Sequence, residues 1–186
     1  MNIYRNLKGC FEVLMGHEGW ESYFELSRDG VLRSFYGLLL ILPNFYLIAY
    51  VVQRQKYDQV YNNLSEILPL SAITITLTIY LLSFSALALI VAMVFDFQDR
   101  LRPWLITRHW CVIWLSIIIG LVFSIHSLGF ISFYFANFIA LLGFLNILFI
   151  DICLAKSILC YKNGPAILIG CGINIIGLSI ILISIN

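Results

Sequence analysis

Charge is what this sequence has least of. Only 11% of its 186 residues are Asp, Glu, Lys or Arg, against about 25% in a soluble domain, too few to cover a water-facing globule. The net charge of +1 gives no pull towards acidic or basic partners, so the placement of the charges matters more than their sum. The five cysteines form no CxxC pair, and their odd number argues against both a disulfide framework and a zinc site. Cys10, Cys111, Cys153, Cys160 and Cys171 are expected to pack as small hydrophobes. HExxH, Walker and dinucleotide-binding patterns are lacking, as is a Ser/His/Asp set in a recognisable local context. No catalytic role, cofactor or metal is therefore expected. His17, His109 and His126 offer no ligand set; the last two lie about 25 Å apart if one helix carries both.

What the sequence does have is apolar length. It is 61% hydrophobic, and the run from Ile67 to Phe95 holds no Asp, Glu, Lys, Arg or His. A helix needs roughly 20 such residues to cross the hydrocarbon core. Further runs predict spans at about 31–52, 104–124, 130–150 and 166–185. The runs are too long, and too apolar on every face, for barrel strands of about 10 alternating residues. The fold class expected is thus all-α: a polytopic membrane bundle of five transmembrane helices with an N-terminal amphipathic interfacial helix. Residues 1–30 would form the interfacial segment and 31–186 the transmembrane domain. The bilayer is the expected partner, together with a membrane protein or a second copy of the chain. No nucleic-acid surface is expected, because topology explains the basic residues.

Local signals refine this plan. Ile3, Leu7, Phe11 and Leu14 recur at helical spacing, with Arg5, Lys8 and Glu12 on other faces, as an interfacial helix requires. Trp20, Tyr23 and Phe24 suit either anchoring at headgroup level or a wet loop with packed aromatics. Arg5 and Lys8 precede no apolar core, so the first span is expected to serve as an uncleaved insertion signal. Ser27 or Asp29 can cap its start, and Pro43 predicts a kink that frees the Leu39 carbonyl. Pro103 and Trp104 are expected to open span three, and Gly164 and Pro165 to punctuate the passage to span five.

Basic residues set the expected orientation. Arg5, Lys8, Arg28, Arg33, Arg100, Arg102, Arg108, Lys156 and Lys162 fall on one side of a five-span layout, with only Arg54 and Lys56 opposite. The positive-inside rule then puts the N-terminus in the cytoplasm and the C-terminus outside. Small size and bare loops point to a bacterial inner membrane.

Polar residues inside the spans are the candidate sites. Ser132, Ala136 and Ala140 form a small strip in span four, and Ala166, Gly170 and Asn174 another in span five. Together with Asn137, Asn146 and Thr74, Thr76 and Thr78, they suit close helix packing with interhelical hydrogen bonds. At the cytoplasmic ends, Asp96, Arg100, Arg102, Arg108, Asp151 and Lys156 are expected to form an interfacial charge network. Asp151→Asn should then cost about 1 kcal/mol, as for a partly exposed pair. The expected function is a non-enzymatic scaffold or accessory subunit acting through helix contacts. The alternative is a small oligomeric transporter or channel with a polar path near Asn137, Asn146 and Asn174.

The layout resembles that of the Yip1-type membrane proteins, including their bacterial members. The points of likeness are a short N-terminal segment, five closely spaced spans and a minimal tail. Between Leu154 and Ile169, the Lys162-Asn163-Gly164 turn leads into Ala166 much as that family enters its last span. The longer proline-rich N-terminal region of the eukaryotic members is missing. The resemblance implies membrane organisation or trafficking, and it carries no site residues across.

Overall fold

The computed structural model describes residues 3–59 and 70–185, and no strand occurs among them. Seven α-helices follow in order: α1 (Ile3–Leu14), α2 (Arg28–Leu38), α3 (Ile41–Gln59), α4 (Leu70–Val94), α5 (Gln98–Ser127), α6 (Phe133–Ser157) and α7 (Asn163–Ile185). A single 3-10 turn, Trp20–Tyr23, lies between α1 and α2. The expected start of span two at residues 67–69 lies outside the described residues. Among the described residues, three segments are long and apolar enough to cross a membrane: Arg28–Arg54, Gln98–Ser127 and Phe133–Ser157, with mean hydropathies of 1.9, 2.0 and 2.5. Thr78–Val94 and Asn163–Gly177 are shorter apolar helical stretches.

The first long segment is two helices rather than one kinked helix. Pro43 has no N–H to return to the Leu39 carbonyl. That oxygen instead accepts from the Leu42 N–H at 3.2 Å, and the Leu40 N–H donates to Gly37. The backbone thus tightens for one turn and α3 restarts at Ile41, placing Pro43 in its first turn, where a missing donor costs little. Pro103 behaves differently. It lies inside α5, which begins at Gln98, one turn earlier than the sequence suggests. The Asp99 carbonyl that it frees belongs to a residue exposed to water.

Helix ends follow recognisable chemistry. The Ser27 hydroxyl accepts from the Gly30 N–H at 3.1 Å and caps α2; Ser132 caps α6 through the Phe135 N–H at 3.2 Å. Ser27→Ala should lower stability by about 1 kcal/mol, readable as a drop in thermal midpoint; an unchanged midpoint would show that the cap contributes nothing. At their C-termini, α1, α4 and α5 share one device. A left-handed residue (Gly16, Asp96 or Gly129) lets the next N–H reach back five residues, as from Phe97 to Ala92 at 2.9 Å. The reversal after α6 falls at Cys160, with φ of 56°. Gly164, expected to stop the helix, lies instead within the first turn of α7.

The core is organised around α5, which touches α1, α2, α3, α4 and α6, while α7 packs on α6 and α4. Trp104, Ile106, Ile113 and Phe123 of α5 are buried against Ile41, Phe84, Ala136 and Leu154 of its neighbours. Trp20 and Phe24 are buried too, so these rings fill the space between α1 and the bundle, which is the packed-loop alternative. Of the cysteines, Cys10 and Cys111 are buried, Cys153 and Cys171 half-buried and Cys160 exposed, all as free thiols.

Candidate functional site

The most unusual chemistry of the bundle lies where α5, α6 and α7 meet. Arg108 is 4% exposed and Asp151 0%. Arg108 Nε donates to Asp151 Oδ1 at 2.9 Å and Nη2 to Oδ2 at 3.3 Å. This two-point geometry is the one in which a planar guanidinium matches a carboxylate. Asn174 Nδ2 donates to Oδ2 at 2.8 Å and also to its own Gly170 carbonyl at 2.9 Å. The carboxylate thus accepts three hydrogen bonds, one of them from the last helix. On the other side, the Phe84 ring of α4 lies 3.8 Å from the guanidinium carbon, so the cation rests on an aromatic face.

His109 extends the cluster to α2 and α4. Its Nδ1 lies 3.0 Å from Ser34 Oγ and its Nε2 3.3 Å from Ser85 Oγ. The Ser34 hydroxyl already donates to the Val31 carbonyl at 2.7 Å, so towards the ring it acts as acceptor. This assigns the ring proton to Nδ1 and leaves Nε2 to accept from Ser85. Phe35 stands edge-on to the imidazole at 4.6 Å. Two adjacent residues of α5 thereby tie together α2, α4, α6 and α7.

This arrangement replaces the expected interfacial charge network. Of its six members, only Arg108 and Asp151 meet. Asp96 is exposed and serves as the left-handed cap of α4. Arg100 donates to the Ile158 carbonyl at 2.9 Å and to the Cys160 sulfur, and lies 3.8 Å from Asp99. Arg102 and Lys156 are exposed. The reason is rotational as well as axial. The six residues share an end of the bundle, but Arg108 and Asp151 point between helices, Arg100 folds onto the end of α6, and Asp96, Arg102 and Lys156 are exposed.

The small strips lie at helix contacts. Ala136 is buried beside Phe123 and Val51, and Ala140 flanks the same cluster. Gly170 is so close to α6 that a Cβ there would sit 2.6 Å from Ile152 Cγ1 and 2.9 Å from its backbone nitrogen. Asn137 and Asn146 are exposed on α6, and Asn146 donates to its own Leu142 carbonyl at 2.8 Å. The three asparagines expected along one polar path therefore do not share a face. Thr78 likewise bonds back to the Thr74 carbonyl at 2.7 Å; the Thr76 side chain lies outside those described. His126 donates to the Ile131 carbonyl at 2.9 Å, closing the link between α5 and α6.

Sequence reading found Arg108, Asp151 and Asn174 but not their union, and it assigned no role to His109, Ser34, Ser85 or Phe84. A charged residue three turns into an apolar helix was the available signal, since α5 begins ten residues before Arg108. Comparison of the chain with known protein families, with curated proteins and with solved structures gives no match.

Proposed function

We propose that the chain is a multi-pass integral membrane protein that crosses the bilayer five times and serves as a non-enzymatic scaffold or accessory subunit. The observation that carries this reading is the closure of the Arg108–Asp151 cluster. Its strongest donors and acceptors are engaged by side chains of the protein itself, so it joins helices and leaves recognition to the exterior. That exterior is apolar over long helices, with Leu121, Leu141, Leu145 and Phe149 exposed on α5 and α6, as suits lipid or partner helices. Counting at 1.5 Å per residue from Ser127, Arg108 lies about 28 Å along α5, roughly one hydrocarbon thickness. The cluster then sits at the inner edge of the apolar layer, where a bidentate pair and a ring face stand in for water.

The helix α1 fits the same frame. Gly9, Cys10 and Val13 are buried, whereas Tyr4, Leu7, Phe11 and Met15 are exposed at helical spacing on the free side. Lying in the membrane surface covers that stripe and lets Arg5 and Lys8 reach the headgroups. Membrane organisation, the role implied by the likeness to Yip1-type proteins, is the activity class we assign. The basic-residue asymmetry supports a cytoplasmic N-terminus in this reading. Reporters fused after Asn186 should be active only outside the cytoplasm and those near Arg102 only inside; a cytoplasmic C-terminus sinks the five-span layout. Mild-detergent purification should bring down a stoichiometric membrane partner. A lone homo-oligomer that conducts ions in proteoliposomes would favour the transporter instead.

A further inference from the structure

Between α1, α2 and α5 lies a half-open cavity of about 430 Å³, within the roughly 300–1,000 Å³ range of small-molecule sites. Arg5 and Asn6 of α1, Glu25 of the following turn, Arg33 of α2 and Ile106 and Trp110 of α5 are among its walls. Two guanidinium groups from different helices thus border one space. Both are oriented by bonds within the protein: Arg5 donates to the Ser22 carbonyl, and Arg33 Nη1 donates to Glu25 Oε2 at 2.6 Å. That pair engages one of the five N–H donors of Arg33. Lys8 adds charge nearby, its ammonium 5.4 Å from the centre of the Tyr23 ring, which also borders the cavity. Two wall bases, Arg5 and Arg33, against the single wall acid, Glu25, leave the lining with one net positive charge. The lining also holds the apolar side chains of Phe24, Ile106 and Trp110.

We propose that this cavity binds a phosphate ester, with the phosphoryl oxygens between Arg33 and Arg5 and the organic portion against Trp110 and Ile106. The paired N–H geometry of arginine suits phosphate as no lysine does, and the apolar part of the lining calls for an esterified rather than a free phosphate. The inference rests on the proposed membrane-surface position of α1, which puts the cavity at headgroup depth. Two sources share this chemistry, a bilayer phospholipid headgroup and a soluble phosphate ester.

The test uses the full chain in a neutral detergent, with binding followed by native mass spectrometry. The probes are dihexanoyl phosphatidylglycerol and glycerol 3-phosphate, which carry the same phosphoglycerol unit with and without acyl chains. Saturable one-to-one binding of either is expected; binding of the lipid alone identifies the bilayer as the source, and of the soluble ester alone the aqueous phase. Arg33→Gln should weaken binding about tenfold or more, the size of one charge-assisted hydrogen bond. Glu25→Gln, which removes the competing acid, should tighten it. Arg102→Gln, a basic residue outside the cavity, should leave it within about twofold. Failure of both probes to saturate, or equal losses for Arg33→Gln and Arg102→Gln, overturns the proposal. Carbonate extraction of native membranes is scored separately. A protein that stays in the membrane yet binds neither probe has lost only this site, whereas one that washes off has lost the membrane reading itself.

Discussion

Replacing Asp151 with alanine is expected to cost on the order of 3–5 kcal/mol, enough to unfold much of a marginally stable protein. The loss of a contact is the smaller part of this. With the carboxylate gone, Arg108 stays 4% exposed and must hold a cation among helices with no counter-charge, while the Asn174 amide keeps only the Gly170 carbonyl of its two acceptors. Asp151→Asn should fall in the same direction, since the amide keeps the volume but not the charge. The figure of about 1 kcal/mol for a partly exposed pair does not apply to a carboxylate that is 0% exposed. The decisive comparison is the double variant Arg108→Met/Asp151→Leu. Exchanging both ends of a buried pair for apolar groups of similar volume is commonly neutral or stabilising. It should therefore recover most of the thermal midpoint lost by the single variant in mild detergent. If the double variant is as unstable as the single one, the pair is not the source of the effect.

Gly170→Ala is expected to be the next most damaging change, and Gly172→Ala supplies its control two residues away. A Cβ at Gly170 would meet the Ile152 backbone, with its nitrogen at 2.9 Å and its Cα at 3.1 Å, whereas nothing lies within 4 Å of a Cβ at Gly172. A side-chain tip can rotate aside but a helix backbone cannot, so α6 and α7 must separate locally. That separation also pulls Asn174 from Asp151, since Gly170 and Asn174 occupy one face and are joined by a 2.9 Å hydrogen bond. Overpacking of this kind typically costs about 1–3 kcal/mol, and the strained polar contact takes Gly170→Ala to the upper end. Gly172→Ala should instead be neutral or gain up to about 1 kcal/mol from helix propensity. Equal thermal midpoints for the two variants would show that α7 does not use this face against α6.

The helices were legible because their signals are local. Apolar length, a Ser27 cap and the missing N–H of Pro43 each act within a turn or two of chain. The consequence of Pro43 was legible in position but not in degree: a full break at Leu39–Leu40 depends on the Leu42 N–H accepting the role that proline vacates. The Arg108–Asp151 pair was not legible, because its partners stand 43 residues apart and nothing in periodicity says how two helices are rotated about their axes. Asn174 could be recognised as a polar residue in an apolar run, though its partner lies 23 residues earlier. His109 was obscured for the same reason, with Ser34 lying 75 residues away. The aromatic N-terminal segment had two equally physical fates, and packing against α1 chose the buried one for Trp20 and Phe24.

The three donors and acceptors of the buried cluster also differ in when they are made. Chains are synthesised from the N-terminus at about 5–20 residues per second, so Arg108 exists before Asp151, and Asp151 before Asn174. The 23 residues between the last two correspond to roughly 1–5 s of elongation. Over so short a stretch Asp151 is still enclosed by the ribosome when Asn174 is added, so the ion pair and the amide hydrogen bond can form only after α6 and α7 have emerged. Arrival of α7 supplies the amide and places Gly170 against Ile152 in the same motion. α7 is thereby the helix that completes the bonding of the buried carboxylate: without it Asp151 Oδ2 keeps a single donor, Arg108.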